Sequence, residues 1–315
     1  MQIHHIDVEK DTEALPIAKG AIVTSGTFDG VHVGHQKILE RLKEIATRID
    51  GESVVITFWP HPRFVLYPEE HTLKLLSTFE EKVTLLENFG IDHLVRIHFT
   101  PFFSQLSSDE FIRKILIERV GTRQLVIGYN HRFGRNREGS FAYLMEHADE
   151  YGFAVEEIPE QDVDDVAVSS TKIRNALEEG DVKTANEYLG RPYSLRGKVV
   201  NGDRIGRSIG FPTANIQIPE PYKLIPADGA YAVRVELQGS LLDGMMNIGY
   251  RPTVSGNSQQ TIEVHIFDFD QQIYDQTLTV HFIGLIRKEM KFDGVEALQV
   301  QLINDRETAQ KILSN

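Results

Sequence analysis

The chain has 315 residues, 41% of them hydrophobic and 25% charged, and carries no cysteine. That length fits two domains of about 150 residues each, and the composition excludes disordered and fibrous classes. A formal net charge of −13 opposes nonspecific nucleic-acid binding, which rests on lysine and arginine neutralising phosphates, so any phosphate site must be local. Lack of cysteine removes disulfides, thiolate metal sites and cysteine nucleophiles. No apolar run approaches the roughly 18 residues of a membrane helix, and the polar start MQIHHIDVEKDTE does not read as a signal peptide. A cytoplasmic protein with no membrane and no nucleic-acid partner is expected.

In chain order, the first half alternates short apolar runs with helical spacing. AIVTSG reads as a strand, and QKILERLKEIATRI follows as a helix with Ile38, Leu39, Leu42, Ile45, Ala46 and Ile49 at three- and four-residue intervals. SVVITF (53–58) is a second strand, FEEKVTLLENFG (79–90) a helix ending at Gly90, and HLVRIHF (93–99) a third strand. Ser107 and Glu110 form a capping box for the helix FIRKILIERV, after which RQLVIG, a helix near 140–151 and FAVEEI continue the alternation. Such alternation predicts a parallel α/β sheet. SSTKIRNALEEGDVKTANEYLG reads as two short helices broken at Gly180 and Asp181, and the boundary is expected near 184–190, giving domains 1–184 and 185–315. Beyond it SLRGKVVNG, GAYAVRVELQG, LLDGMMNIG, TIEVHIFDF and LTVHFIG are strands separated by glycine or aspartate turns, the pattern of an antiparallel barrel or sandwich. From Asp293 onward, Val295, Leu298, Leu302 and Ile303 mark a closing helix.

Two glycine-rich stretches carry the chemistry. GTFDGVHVGH (26–35) follows a strand and precedes a helix, where unpaired N–H groups and the helix dipole favour an anion. Gly26, Gly30 and Gly34 allow close backbone approach, and His32 and His35, three residues apart, can face one developing phosphate charge. The bland reading is a turn with incidental histidines, and its place between strand and helix argues against that. Neither GxxxxGK[ST] nor a full GxGxxG is present, which disfavours a Walker-type kinase and a dinucleotide oxidoreductase. GKVVNGDRIGRSIGFPTAN (197–215) sets Gly202, Gly206, Gly210, Arg204 and Arg207 ahead of Thr213 and Asn215. The neutral oxygens of that pair suit Mg²⁺ only when nucleotide phosphates and water complete the shell. Glu263, on the alternating strand TIEVHIFDF, shares a face with His265 and Phe267. A strand glutamate ordinarily faces solvent.

GTFDGVHVGH resembles the HxGH signature of the nucleotidylyltransferase superfamily. With FWPHP (58–62), GYNHRFG (128–134), SSTKIR (169–174) and GFPTAN (210–215) in the same order, the chain resembles the bacterial bifunctional riboflavin kinase/FAD synthetase family over nearly its whole length. The resemblance implies a Rossmann-like HxGH nucleotidylyltransferase domain followed by an antiparallel β-barrel kinase domain with a C-terminal helix. It implies two Mg²⁺-dependent reactions: phosphorylation of riboflavin by ATP to FMN in the barrel, and transfer of AMP from ATP to FMN in the first domain, giving FAD and pyrophosphate. It assigns His32, His35 and Arg174 to adenylyl transfer, Gly26, Phe28, Gly34, Asn130, Ser170 and Thr171 to its ATP, and Phe58 and His61 to the flavin phosphate. In the barrel it makes Gly202, Gly206 and Thr213 ATP contacts, Thr213 and Asn215 metal ligands, and Glu263 the base. Arg287 and Glu289 of IRKEMKF (286–292) become flavin-side residues. The position after Asn130 is often aromatic in relatives and is His131 here; it and the neighbouring Arg132, Arg135 and Arg137 receive no role. Asp228, Gly229 and Asn247 read as turn and packing residues. Partners are then the small molecules riboflavin, FMN and ATP. The alternative is a flavin-binding regulatory protein of the same fold with one or both activities lost.

Overall fold

In the computed structural model, which describes residues 1–11, 18–70, 72–129, 131–159, 168–202, 206, 209–252 and 258–314, the chain divides into two units, Met1–Ser169 and Ser170–Asn315. In the first unit the strands β1 (Gln2–Ile6), β2 (Ala21–Ser25), β3 (Ser53–Trp59), β4 (His93–His98), β5 (Thr122–Gly128) and β6 (Ala154–Ile158) pair in parallel. Their order is β1-β4-β3-β2-β5-β6. Successive side chains point to opposite faces, and both faces are apolar: Val23, Val54 and Ile56 join one core layer, Ile22 and Val55 the other. Helix α1 (Val33–Arg48) seals the second layer with Leu39, Leu42 and Ile45, all fully buried. Each such side chain contributes roughly 1.5–3 kcal/mol, so the loops leaving the sheet start from a rigid base. The first layer is closed by Phe99, Phe103 and Phe111.

Along this sheet the chain reverses direction between β2 and β5. The carboxyl ends of these two strands therefore flank the topological switch point, the crevice where open α/β sheets bind ligands. The stretch GTFDGVHVGH leaves β2 at that crevice, and the segment after Gly128 leaves β5 beside it.

Some local elements differ from expectation. The polar amino terminus forms β1, an edge strand paired only with β4 and half exposed, so it needs no apolar run to announce it. After the short helix α2 (Pro62–Leu66) comes α3 (Phe79–Asn88), capped by Thr78 and Glu81. The predicted helix FIRKILIERV begins as α4 (Ser108–Phe111), with the expected Ser107–Glu110 capping box, and continues as a π-helical stretch over Ile112–Ile117. The helix expected near 140–151 splits into α5 (Phe141–Glu146) and α6 (Ala148–Tyr151), because His147 leaves helical geometry at φ −111°, ψ 8°.

The second unit opens with α7 (Ser170–Glu179) and α8 (Val182–Leu189). Six antiparallel strands follow, β7 (Ser194–Val200), β8 (Ala214–Gln217), β9 (Gly229–Leu237), β10 (Ser240–Pro252), β11 (Ser258–Ile266) and β12 (Thr277–Lys288). They close a barrel in the order β10-β11-β8-β7-β12-β9. Of the two architectures left open by the strand pattern, closure is the one that removes every edge. The division at Ser169/Ser170 precedes the expected 184/185, because α7 and α8 are tied to the barrel. The Ala227 N–H donates to the Leu177 carbonyl at 2.9 Å, and the Asn186 amide donates to the Phe282 carbonyl at 2.8 Å. Helix α9 (Val295–Leu313) packs Leu298, Leu302, Ala309 and Leu313 against Phe211, Met245 and Phe267. Val295 and Ile303 of the predicted pattern face outward, and the inward position between Leu302 and Ala309 belongs to Asp305. Among the described residues no helix is long and apolar enough to cross a membrane.

Candidate active sites

The turn after β2 is strained and locked. Phe28 (φ 46°), Gly30 (φ 81°) and Val31 (φ 40°) all adopt left-handed backbone, a conformation that a β-branched valine reaches only when its surroundings enforce it. The enforcement comes from Asp29. Its buried carboxylate accepts the amides of Leu76 at 2.9 Å and Ser77 at 3.1 Å, and the Gly30 amide donates to Ser77 Oγ at 3.1 Å. From this frame His32 caps α1, its Nδ1 accepting the His35 amide at 3.4 Å, which leaves its proton on Nε2. The two imidazoles stack with centroids 3.7 Å apart, and Phe28 lies 5.0 Å from the His35 ring. Thus the expected pair does share one surface at a helix amino terminus.

Electrostatics there are unusual. His35 is held well below the ordinary histidine range by burial, with His32 and Lys82 adding to the effect, so it is neutral at pH 7. Its Nδ1 is buried without a hydrogen-bond partner. Across the switch point, Ser25 Oγ and His131 Nε2 lie 3.0 Å apart, joining the end of β2 to the loop after β5. Burial pushes His131 down to about 4, and its Nδ1 is likewise sealed and unpartnered. Buried polar atoms are normally satisfied, so these two nitrogens, on the elements that flank the switch point, are exceptions to the rule.

Other expected residues of this site are placed less closely. His61 caps α2, accepting the Arg63 amide at 3.2 Å, and Phe58 packs against Phe99 and Phe103. Asn130 lies outside the described residues. Gly26 stands 3.2 Å, measured from the position a Cβ would take, from the Phe28 ring, and Gly34 is buried in the first turn of α1. Ser170, Thr171 and Arg174 stand on the first turns of α7, in the second unit.

The second site is assembled across the barrel wall. Asn215 on β8 pairs in register with Glu263 on β11, which pairs with Asn247 on β10, so the three form a row across adjacent strands. Thr213 donates its hydroxyl to Glu263 at 3.2 Å. His265 hydrogen-bonds the Pro212 carbonyl at 2.8 Å through Nδ1, and burial lowers its pKa, so a neutral ring anchors the PTAN segment. Gly202 is required by close approach: a Cβ there would meet the Asn215 amide nitrogen at 2.1 Å. At Gly206 a Cβ would meet the Phe211 carbonyl oxygen at 2.2 Å. Arg204 and Arg207 lie outside the described residues.

Thr213, Asn247, Glu263, His265, Arg287 and Glu289 line one pocket of about 330 Å³, whose remaining wall is mostly apolar, with Phe211, Met290, Phe292 and Leu298, and adds Thr261 and Asp305. An apolar cavity of this size with a few convergent polar groups is the form of a small-molecule site. Arg287 is forked onto Asp305, with Nη2 and Nε at 2.9 and 3.1 Å from the carboxylate, and lies 5.4 Å from the Phe292 ring centre. Partial burial raises the Glu289 carboxyl above its usual range.

Sequence reasoning passed over Asp29, Lys82, Ser25, Asn247 and Asp305. For Lys82 and Asp305 a signal existed: each occupies an inward position of an apolar helical stripe, Lys82 between Phe79 and Leu86, Asp305 between Leu302 and Ala309. Asn247 was discounted as a packing residue and stands in the row beside Glu263.

Two family models match the chain, one described as FAD synthetase over residues 15–172, the other as riboflavin kinase over residues 189–313. A protein of Bacillus subtilis named bifunctional riboflavin kinase/FMN adenylyltransferase is 35% identical over 99% of this chain and 96% of its own length. The protein of the same name from Haemophilus influenzae is 37% identical, covering 95% and 96%. A solved structure described as a macrolide-efflux protein from Streptococcus pneumoniae superposes with a TM-score of 0.87 at 32% identity, over 97% of this chain and 98% of the other.

Proposed function

The chain belongs to the bifunctional riboflavin kinase/FMN adenylyltransferase family, enzymes that make FMN and then FAD, and we propose that its two glycine-rich stretches divide the reactions between them. In the adenylyl step a phosphate oxygen of FMN attacks the α-phosphorus of ATP and pyrophosphate leaves. His32 and His35, with the amides at the start of α1, stabilise the charge that develops on the transferred phosphoryl oxygens. Gly26, Phe28, Gly34, Asn130, Ser170 and Thr171 contact this ATP, Arg174 its phosphates, and Phe58 and His61 the flavin. The FAD synthetase match extends through residue 172 and so includes Ser170 and Thr171. These assignments give residues 1–184 to the adenylyl step and 185–315 to the kinase step.

In the kinase step the ribityl 5′-hydroxyl attacks the γ-phosphorus of ATP, ADP leaves, and the hydroxyl proton passes to the Glu263 carboxylate. The hydroxyl of Thr213 orients that carboxylate. Gly202, Gly206 and Thr213 contact the nucleotide, and Arg287 and Glu289 close on the flavin side. Thr213 and Asn215 offer neutral hard oxygens that fit Mg²⁺. Such a pair holds the ion only when nucleotide phosphates and water complete the shell. When bound, it offsets phosphate charge.

The observation that carries this reading is the row Asn215–Glu263–Asn247 in one unit together with the strained, ligand-ready histidine turn in the other. Purified protein is incubated with ATP and magnesium plus either riboflavin or FMN, and the flavins are separated. FMN and FAD are expected from riboflavin, and FAD from FMN. Formation of neither product overturns the reading.

A further inference from the structure

Lys82 is a buried cation that no motif marks. It sits on the inward stripe of α3, 2% exposed, where an apolar residue is the rule. Its ammonium donates to the Thr27 carbonyl at 2.6 Å and to Thr57 Oγ1 on β3 at 3.3 Å, and it lies 5.6 Å from the Trp59 ring centre. Thr27 immediately precedes Phe28, the first left-handed residue of the turn. Thr57 Oγ1 also reaches the Thr27 carbonyl, at 3.3 Å, so a neutral donor already serves that oxygen. The charge of Lys82 is thus more than the tie itself requires, and a buried charge is retained against a desolvation cost that Asp29 only partly offsets. The ionisable groups facing it are Asp29 of the turn, whose oxygens also hold the Leu76 and Ser77 amides, and the His35 ring on α1, with His32 stacked behind.

We propose that Lys82 is a positioning residue for adenylyl transfer: its ammonium pins the entry to the histidine turn and places a desolvated positive charge behind it, favouring the polyphosphate in front. A charge in a dry interior acts over a longer range than one in water, which matters in a chain of net charge −13. Burial lowers this lysine to about 8, with Asp29 opposing the fall. The field is therefore present at neutral pH and is lost as pH rises through that value.

The inference rests on the histidine turn being the adenylylation site, and the unit that phosphorylates riboflavin supplies an internal control. Lys82→Met keeps the length of the side chain and removes its charge and donors. FAD formation from FMN is expected to fall about 100-fold, as for loss of a single preorganised electrostatic group, with FMN formation from riboflavin within twofold of the parent. In the parent, kcat/KM for ATP in FAD formation should decline above pH 8 while FMN formation by the same protein does not, and the residual FAD formation of Lys82→Met should lack that decline. FAD formation by the variant within threefold of the parent overturns the proposal, as does the same alkaline decline persisting in the variant. If the variant does not fold, a parent profile for FAD formation that is flat from pH 7 to 9.5 overturns it equally. A parent that makes no FAD at all contradicts the assigned function instead.

Discussion

The turn after β2 gathers helix-end amides, two stacked imidazoles and a buried lysine behind them. In the barrel wall, the corresponding row is Asn215, Glu263 and Asn247, which brings no positive charge of its own, and Arg287, which lines the same pocket, is already committed to Asp305. The first site therefore carries its own donors, whereas the second offers only neutral oxygens and one carboxylate. Backbone conformation follows the same division. The histidine turn stores left-handed strain at Phe28 and Val31, enforced by Asp29, while the PTAN segment needs room, obtained by removing side chains at Gly202 and Gly206.

The sharpest way to break this comparison is to remove the proton acceptor of the second site. Glu263→Ala should lower FMN formation by about 10³-fold or more, in keeping with loss of a group acting in the transition state, and leave FAD formation from supplied FMN unchanged; separate assays with the two flavins check it. Next in size, Asp305→Ala strands Arg287, whose side chain is 16% exposed against 2% for Asp305. Removing one partner of so buried a pair should destabilise the barrel unit by about 3 kcal/mol, read by chemical denaturation, and raise the riboflavin KM. Gly202→Ala tests the role of room directly. The added methyl displaces Asn215, and by analogy with disturbed supports of ligating groups, kinase activity should fall about 10- to 100-fold, with the ATP KM rising and FAD formation from FMN unaffected.

The smallest effect concerns pH. His131 titrates near 4 in the folded chain against an ordinary value of 6.5. Between those values the unfolded chain binds more protons, so folded stability rises with pH: its contribution is complete above 6.5 and is lost as pH falls toward 4. His35 acts in the same direction. His131→Phe should therefore reduce the drop in the first unit's melting temperature between pH 7 and pH 5 by roughly 5 °C, measured by thermal unfolding at the two pH values.

Much of the architecture was legible because burial wrote it into the chain. AIVTS and SVVITF bury both faces in a two-sided sheet, and the capping box at Ser107 announces its helix directly. Strand β1 was not legible, since an exposed edge strand need not be apolar, nor was β8, whose four residues begin inside PTAN without alternation long enough to register. The histidines, Glu263, Thr213 and Asn215 stood out through motif and strand parity. Their supports did not: Asp29 acts on amides 47 and 48 residues away, and Ser25 meets His131 across 106 residues. Such pairings arise from the strand order of the sheet, and local spacing carries no trace of them. Lys82 and Asp305 look like interruptions of an apolar stripe until the fold places a carbonyl or a guanidinium opposite each.

The central claim is that two independent sites act in sequence, and a riboflavin time course with His32→Ala/His35→Ala tests it most directly. With ATP and magnesium in excess, FMN should accumulate at the parent rate while FAD stays undetectable. Loss of FMN formation together with FAD in a variant that remains folded, or FAD formation at the parent rate, would contradict the account.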